Sequence, residues 1–116
     1  MVKFVACARR KAGMTTAEFQ SYWKNKHGPL VRSVPEFWAY VRRYVQGHTS
    51  SEPVPGFPPQ DEAPFDGIAE LWFDSVEDIG KAFSHPRYLE IIRPDELKFV
   101  DFASSRVFIV EDVEIS

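Results

Sequence analysis

Hydrophobic and polar positions alternate from the first residues of the chain. Val2, Phe4, Ala6 and Ala8 fall on one face and Val5 and Cys7 on the other, which predicts a strand over residues 2–9 covered on both sides. The period then changes. Thr15 and Glu18 have capping-box spacing, so a helix is expected to begin there, with Met14 placed to staple against Phe19. Phe19, Tyr22, Trp23 and Lys26 recur at the three- and four-residue spacing of one helix face, and Gly28-Pro29 is expected to end the helix. His27 is left one turn beyond Trp23, at the edge of the apolar face.

After Pro35, residues 38–48 are rich in aromatic and β-branched side chains and predict a second strand. It would carry Tyr40, Arg42, Tyr44 and Gln46 on one side and Val41, Arg43 and Val45 on the other. Residues 49–65 hold Pro53, Pro55, Pro58, Pro59 and Pro64, a density that excludes strand and helix and points to a lid, a dimer arm or an irregular excursion. A third strand is expected over 67–73, with Ile68, Glu70 and Trp72 opposite Ala69, Leu71 and Phe73. Ser75 caps a helix whose stripe is Val76, Ile79, Ala82 and Phe83, and His85-Pro86 interrupts it. Tyr88, Leu89, Ile91 and Ile92 predict a short helical piece ended by Pro94, residues 95–101 one further turn, and residues 106–115 a closing strand.

The order βαββαβ is the split βαβ pattern of ferredoxin-like α+β domains, with a four-stranded antiparallel sheet and its helices on one side. Residues 1–116 are read as a single domain. Several strands are apolar on both faces, so the sheet face without helices is expected to be covered by a second copy, giving a homodimer.

Composition narrows the partners. The formal charge is −3 and no basic run exceeds Arg9-Arg10-Lys11, which argues against nucleic acid. No apolar stretch is long enough to span a bilayer and the first residues do not read as a signal peptide, so no membrane association and a cytoplasmic location are expected. Cys7 is the lone cysteine and can form no internal disulfide; on a strand it reads as a small buried residue. The histidines form neither H-x-x-x-H nor H-E-x-x-H, and the glycines form no dinucleotide fingerprint or P-loop. There is also no G-x-S-x-G elbow. No metal and no cofactor are therefore expected.

Among side chains able to carry chemistry, His27 is the foremost candidate for proton transfer, because imidazole titrates nearest neutrality. A helix end favours its charged form, whereas a pocket walled by Phe19 and Trp23 favours the neutral ring; as a bland alternative it only caps the helix. Asp66 and Glu70 share a strand face with Trp72 and could supply a second acid or base if that face meets a pocket. Tyr22, Tyr40, Tyr44 and Tyr88 could donate phenolic hydrogen bonds to a ligand, or simply fill the core. Asp95 and Glu96 follow a proline and read as helix-capping residues.

Taken in order, Gly13-Met14-Thr15, Glu18-Phe19, Tyr22-Trp23, His27-Gly28-Pro29-Leu30, the run Phe65-Asp66-Gly67-Ile68-Ala69-Glu70-Leu71-Trp72-Phe73, Asp95-Glu96 and Phe99-Val100-Asp101 resemble the EthD family over nearly the whole chain. The resemblance implies a ferredoxin-like protomer whose sheet packs against a second sheet in a dimeric α+β barrel, with a mostly apolar pocket in each subunit. Relatives of that kind include cofactor-independent polyketide cyclases, decarboxylases and quinone-forming monooxygenases, and EthD proper accompanies a cytochrome-type oxygenase system. The long proline-rich loop departs from the compact connection that such a protomer would have.

The expected function is thus a small cofactor-independent enzyme acting on a hydrophobic, aromatic or polyketide-like molecule. Decarboxylation, dehydration, cyclisation or isomerisation would need one placed histidine and a hydrogen-bond donor, and oxygenation of an activated phenol would use the same pocket. His27 and Asp66 are the expected catalytic residues, with Phe19, Tyr22, Trp23, Tyr40, Glu70, Trp72 and Tyr88 in substrate binding. The alternatives are a non-catalytic binding or accessory protein of an oxygenase pathway, and haem ligation through His27.

Overall fold

The computed structural model describes residues 1–60 and 63–116. The alternating first segment forms β1 (Val2–Ala8), and the capping box starts α1 (Thr16–Tyr22) as its spacing requires: the Thr15 hydroxyl accepts from the Glu18 amide and the Glu18 carboxylate accepts from the Thr15 amide. Two short helices follow, α2 (Gly28–Ser33) and α3 (Pro35–Trp38), before β2 (Arg43–His48). Next come β3 (Gly67–Phe73), α4 (Val76–Ser84), α5 (Arg93–Glu96) and β4 (Arg106–Val110). The strands lie in the antiparallel order β2-β3-β1-β4, the ferredoxin-like arrangement.

Register assigns the faces. Phe4 lies opposite Leu71, Ala6 opposite Ala69 and Ala8 opposite Gly67, so these residues share the face packed by the helices. Lys3 opposite Trp72, Val5 opposite Glu70 and Cys7 opposite Ile68 share the other face. Ile68 and Phe108 are about half exposed there, at 42% and 48%, which leaves an apolar surface on a single chain.

The helix expected to stop at Gly28-Pro29 does not stop. Residues Trp23–His27 form a single wide π turn, closed by the Gly28 amide donating to the Trp23 carbonyl, and α2 continues directly from it. Pro29 has no amide to donate, and at the start of a fresh α segment none is needed. The second helical run repeats the device: Tyr88–Ile92 form a π turn closed by the Arg93 amide on the Tyr88 carbonyl, and Pro94 then sits inside the start of α5 instead of ending the run. The wide first turn leaves Lys26 in solvent and turns His27 inward, so the fourth position of the expected stripe is not part of the buried face.

Two strands are shorter than their patterns. The expected strand over 38–48 begins only at Arg43, because its register along β3 runs from His48 opposite Gly67 to Arg43 opposite Trp72, next to the end of β3, and Pro35 favours a helical turn ahead of it. Tyr40 therefore lies in a turn. The closing strand ends at Val110, which pairs with Lys3; residues 111–116 alternate in sequence but form no strand, and Asp112 is held by side-chain contacts to Lys3 and Trp72. Residues 49–60 and 63–65 of the proline-rich loop are irregular, and residues 61 and 62 lie outside the described residues. Its base is pinned where the Thr49 hydroxyl donates to the Phe65 carbonyl and the Gln20 amide to the carbonyls of Thr49 and Asp66.

Candidate active site

Between the helices and the inner sheet face lies a cavity of about 440 Å³, within the range of small-molecule sites. Its origin is a mismatch of side-chain size. Ala6, Ala8 and Ala69 floor it, while Phe19, Trp23, Phe37, Phe83, Tyr88 and Phe99 stand around it and keep the helices from closing onto the alanines. Trp23 covers Gly67 so closely that a Cβ there would meet the indole at 2.4 Å. The same ring stacks on His48 at 4.7 Å, which locks the wall in place.

The polar groups of this cavity gather at one end. His27, the last residue of the first π turn, is buried with its ring 4.9 Å from that of Phe99. Its Nδ1 lies 2.8 Å from Oδ2 of Asp95, and the Tyr22 hydroxyl donates to the other oxygen of the same carboxylate. Burial works against the Asp95 anion, but the Tyr22 and His27 hydrogen bonds outweigh it and hold the carboxyl below its usual range. A carboxylate can only accept, so Nδ1 carries the proton and Nε2 carries the lone pair. Burial likewise pushes the His27 pKa below 6.5, opposed by Asp95, which keeps the ring neutral near pH 7. The Tyr22 hydroxyl, donating to Asp95, is pushed up to about 12 and stays protonated.

Glu96 stands on the far side of His27 Nε2, with Oε2 at 3.9 Å, too long for a hydrogen bond. Its Oε1 accepts from the Tyr88 hydroxyl at 2.7 Å and from Arg93 Nε at 3.2 Å. With Oε1 occupied by two donors, a proton on the carboxyl belongs on Oε2, facing His27. Burial pushes the Glu96 pKa up to about 7 against the pull of Tyr88 and Arg93, so both charge states are accessible at neutral pH. A neutral imidazole nitrogen and a protonatable carboxyl thus face each other across a gap in an apolar chamber, which is the composition of a base and acid pair.

Of the residues expected from sequence, Phe19, Trp23, His27 and Tyr88 line the cavity. Tyr22 reaches Asp95 from outside it, and Tyr40 packs against the core near Trp38 and Tyr44. Glu70 and Trp72 sit on the opposite sheet face, where Lys3 pairs with Glu70 at 2.9 Å and both Lys3 and Arg43 lie over the Trp72 ring. Asp66 is not brought together with His27. It accepts from the Arg10 amide and guanidinium and from the Thr16 hydroxyl, joining the β1 end to the start of α1. It lies beside a smaller, more open cleft of about 340 Å³ at Arg9–Met14. Tyr44, one of the four tyrosines considered as donors, also lines the cavity; Asp95 and Glu96, read from sequence as helix-capping residues, meet His27 instead, and Arg93 is the polar lining residue for which the sequence offered no signal. Among the described residues no cluster of three or more His, Cys, Asp or Glu side chains is arranged to hold a metal ion, and no helix is long and apolar enough to cross a membrane.

A ferredoxin-like α+β fold with an apolar cavity and a titratable pair at one end describes a class of small-molecule proteins with many chemistries. Within that class the chain belongs to the EthD domain family, whose pattern matches residues 11–103. It is 33% identical over 108 residues to the conidial pigment biosynthesis dehydratase EthD of Metarhizium robertsii, the match covering 88% of this chain and 75% of that relative. Among solved structures it resembles an EthD family protein from Bacillus halodurans, with a TM-score of 0.69 at 21% identity over 97% of this chain and 99% of the other. It also resembles a dimeric ferredoxin-like protein from Bacteroides fragilis, with a TM-score of 0.65 at 14% identity over 96% and 95%. Those two likenesses concern the fold.

Proposed function

We propose that the protein is a dehydratase of hydroxylated, polyketide-like ring ketones, with His27 as base and Glu96 as acid. The observation that carries the reading is the 3.9 Å approach of His27 Nε2 to Glu96 Oε2 at the end of the apolar cavity. The name of the 33% identical relative, a dehydratase of pigment biosynthesis, supports the same class. In a β-hydroxy ketone the carbonyl acidifies the neighbouring C–H. His27 Nε2 takes that proton, the carbon–oxygen bond to the β-hydroxyl breaks as Glu96 Oε2 protonates it, and the products are an enone and water. His27 is then imidazolium and Glu96 carboxylate, an adjacent pair that returns the proton to Glu96. No electrons change hands overall.

In this reading Asp95 is a positioning residue that fixes the His27 tautomer, Tyr22 supports Asp95, and Phe19, Trp23 and Tyr88 shape the chamber around the ring. Asp66 holds β1 to α1 and takes no part in the reaction. We also assign the exposed apolar sheet face around Ile68 and Phe108 to pairing with a second copy, as the dimeric relative supports.

3-Hydroxy-1-tetralone is a suitable first probe, because loss of water yields 1-naphthol with a large fluorescence change. Wild-type protein should convert it and His27→Ala should not. A wild type that binds the ketone and its analogues without turnover would replace the enzyme with a binding or accessory protein. A Soret band on adding haemin, lost in His27→Ala, would move His27 to haem ligation.

A further inference from the structure

The polar end of the cavity also contains a permanent cation. Arg93 opens α5 immediately after the second π turn, and its side chain runs along the cavity edge with 44% of its surface exposed. Nε is fully engaged, donating to the Tyr88 hydroxyl at 3.0 Å and to Glu96 Oε1 at 3.2 Å. The guanidinium carbon lies 5.2 Å from the centre of the Tyr88 ring and 5.5 Å from that of Phe102, so the planar group is clamped by two aromatic rings. The two terminal nitrogens have no hydrogen-bond or ion-pair partner among the described residues.

We infer that Arg93 is a carboxylate receptor, and that the substrate carries a carboxylate on its ring system which docks on the two terminal nitrogens at the cavity rim. The fork of a guanidinium matches the two oxygens of a carboxylate, and a fork already fixed by Nε and by its ring contacts loses little freedom on binding. The surrounding charges favour the same assignment. Asp95 is matched by His27, Tyr22 and Lys98, which leaves Glu96 as the carboxylate set against Arg93. Whenever Glu96 holds the proton it needs as acid, the guanidinium has no counter-charge, and an anion arriving at the rim supplies one. That anion also opposes ionisation of Glu96, keeping the acid loaded.

This inference rests on the cavity being the substrate site, as proposed above, but not on the reaction being a dehydration. The test is therefore binding, by calorimetric titration of 2-naphthoate and of neutral 2-naphthamide. Wild-type protein should prefer the naphthoate by about tenfold or more, the range of a charge-assisted pair at a partly dry site. Arg93→Met should abolish the preference while leaving naphthamide affinity within about twofold, and Arg93→Lys should retain part of it. The readout is binding alone, so a protein that never dehydrates the hydroxytetralone still tests Arg93. Equal affinity of wild type for the two ligands, failure to bind either, or a preference that survives Arg93→Met would overturn the inference. If Arg93→Met does not fold, the wild-type comparison and Arg93→Lys decide it.

Discussion

His27 Nε2 and Glu96 Oε2 face each other at 3.9 Å, while the opposite ring nitrogen of His27 is tied to Asp95 at 2.8 Å. The first distance leaves the pair unbonded and open to a reacting group, and the second prevents the ring from turning away. Two groups so close must address one face of a bound ketone. The elimination should therefore be syn: from hydroxytetralone deuterated at the α-carbon, the label cis to the hydroxyl should be lost and the trans label kept in the initial enone. Mass analysis of that enone, trapped before it aromatises, would expose the opposite stereochemistry if the pairing were wrong.

Asp95 acts on His27 through the tautomer. Asp95→Asn lets the imidazole carry its proton on Nε2, where it cannot serve as a base, and should lower kcat by about 10²–10⁴ with a much smaller change in KM. Nitrogen chemical shifts of His27 should report the change of protonated nitrogen directly. Unchanged shifts together with unchanged kcat would remove Asp95 from the mechanism.

Glu96 gives two pH signatures. Activity needs neutral His27, whose pKa lies below 6.5, and protonated Glu96, which ionises at about 7, so the profile should be a narrow bell with its basic limb near 7. Stability should follow the same carboxyl. Its folded pKa is above the ordinary 4.5, so its contribution is complete below that value and is lost as pH rises through about 7. The loss should be on the order of 3 kcal/mol between pH 5 and 9. Glu96→Gln should abolish this part of the pH dependence in denaturant titrations, and a variant that titrates like wild type would contradict the assignment.

Asp66 separates stability from chemistry. Asp66→Ala leaves Arg10 and Thr16 without their acceptor and should cost about 2 kcal/mol. Its kcat/KM at a temperature where it remains folded should stay within about twofold of wild type. A collapse of kcat in a folded Asp66→Ala would restore Asp66 to the catalytic set.

Phe108 probes the sheet face. A carboxylate placed between Val5 and its neighbours on that face by Phe108→Glu should yield monomers in light-scattering chromatography, whereas wild type should elute as a dimer. A wild-type monomer at micromolar concentration would reassign the exposed apolar surface.

The order of the four strands and the starts of α1 and α4 were legible in the sequence because each relied on strong local signals: alternation in β1 and β3, the Thr15/Glu18 box, the Ser75 cap; α2 and α3 were not, since Gly28-Pro29 reads as a helix end. The position of His27 at an apolar edge was legible too. Its partners were not, since Asp95 and Glu96 meet it only through the second helical run, 68 residues away for the closer pair. A proline followed by two acids has the local chemistry of a helix start, and nothing in that triplet says that a π turn precedes it. Asp66 misled for the complementary reason. Strand alternation placed it beside Glu70 and Trp72, yet it lies just before β3, where contact with Arg10 decides its direction.

The paired π turns also constrain how this chain can change length. Each adds one residue to a helical run, and each lies just ahead of a proline and beside a group that meets at the polar end: His27 closes the first, and Arg93, Asp95 and Glu96 follow the second. Removing a single residue from either would leave the cavity walls nearly intact and rotate one half of the polar end out of phase with the other. Homologues should therefore accept insertions in the proline-rich loop at 49–65 far more readily than any change of helix length between Trp23 and His27 or between Tyr88 and Ile92.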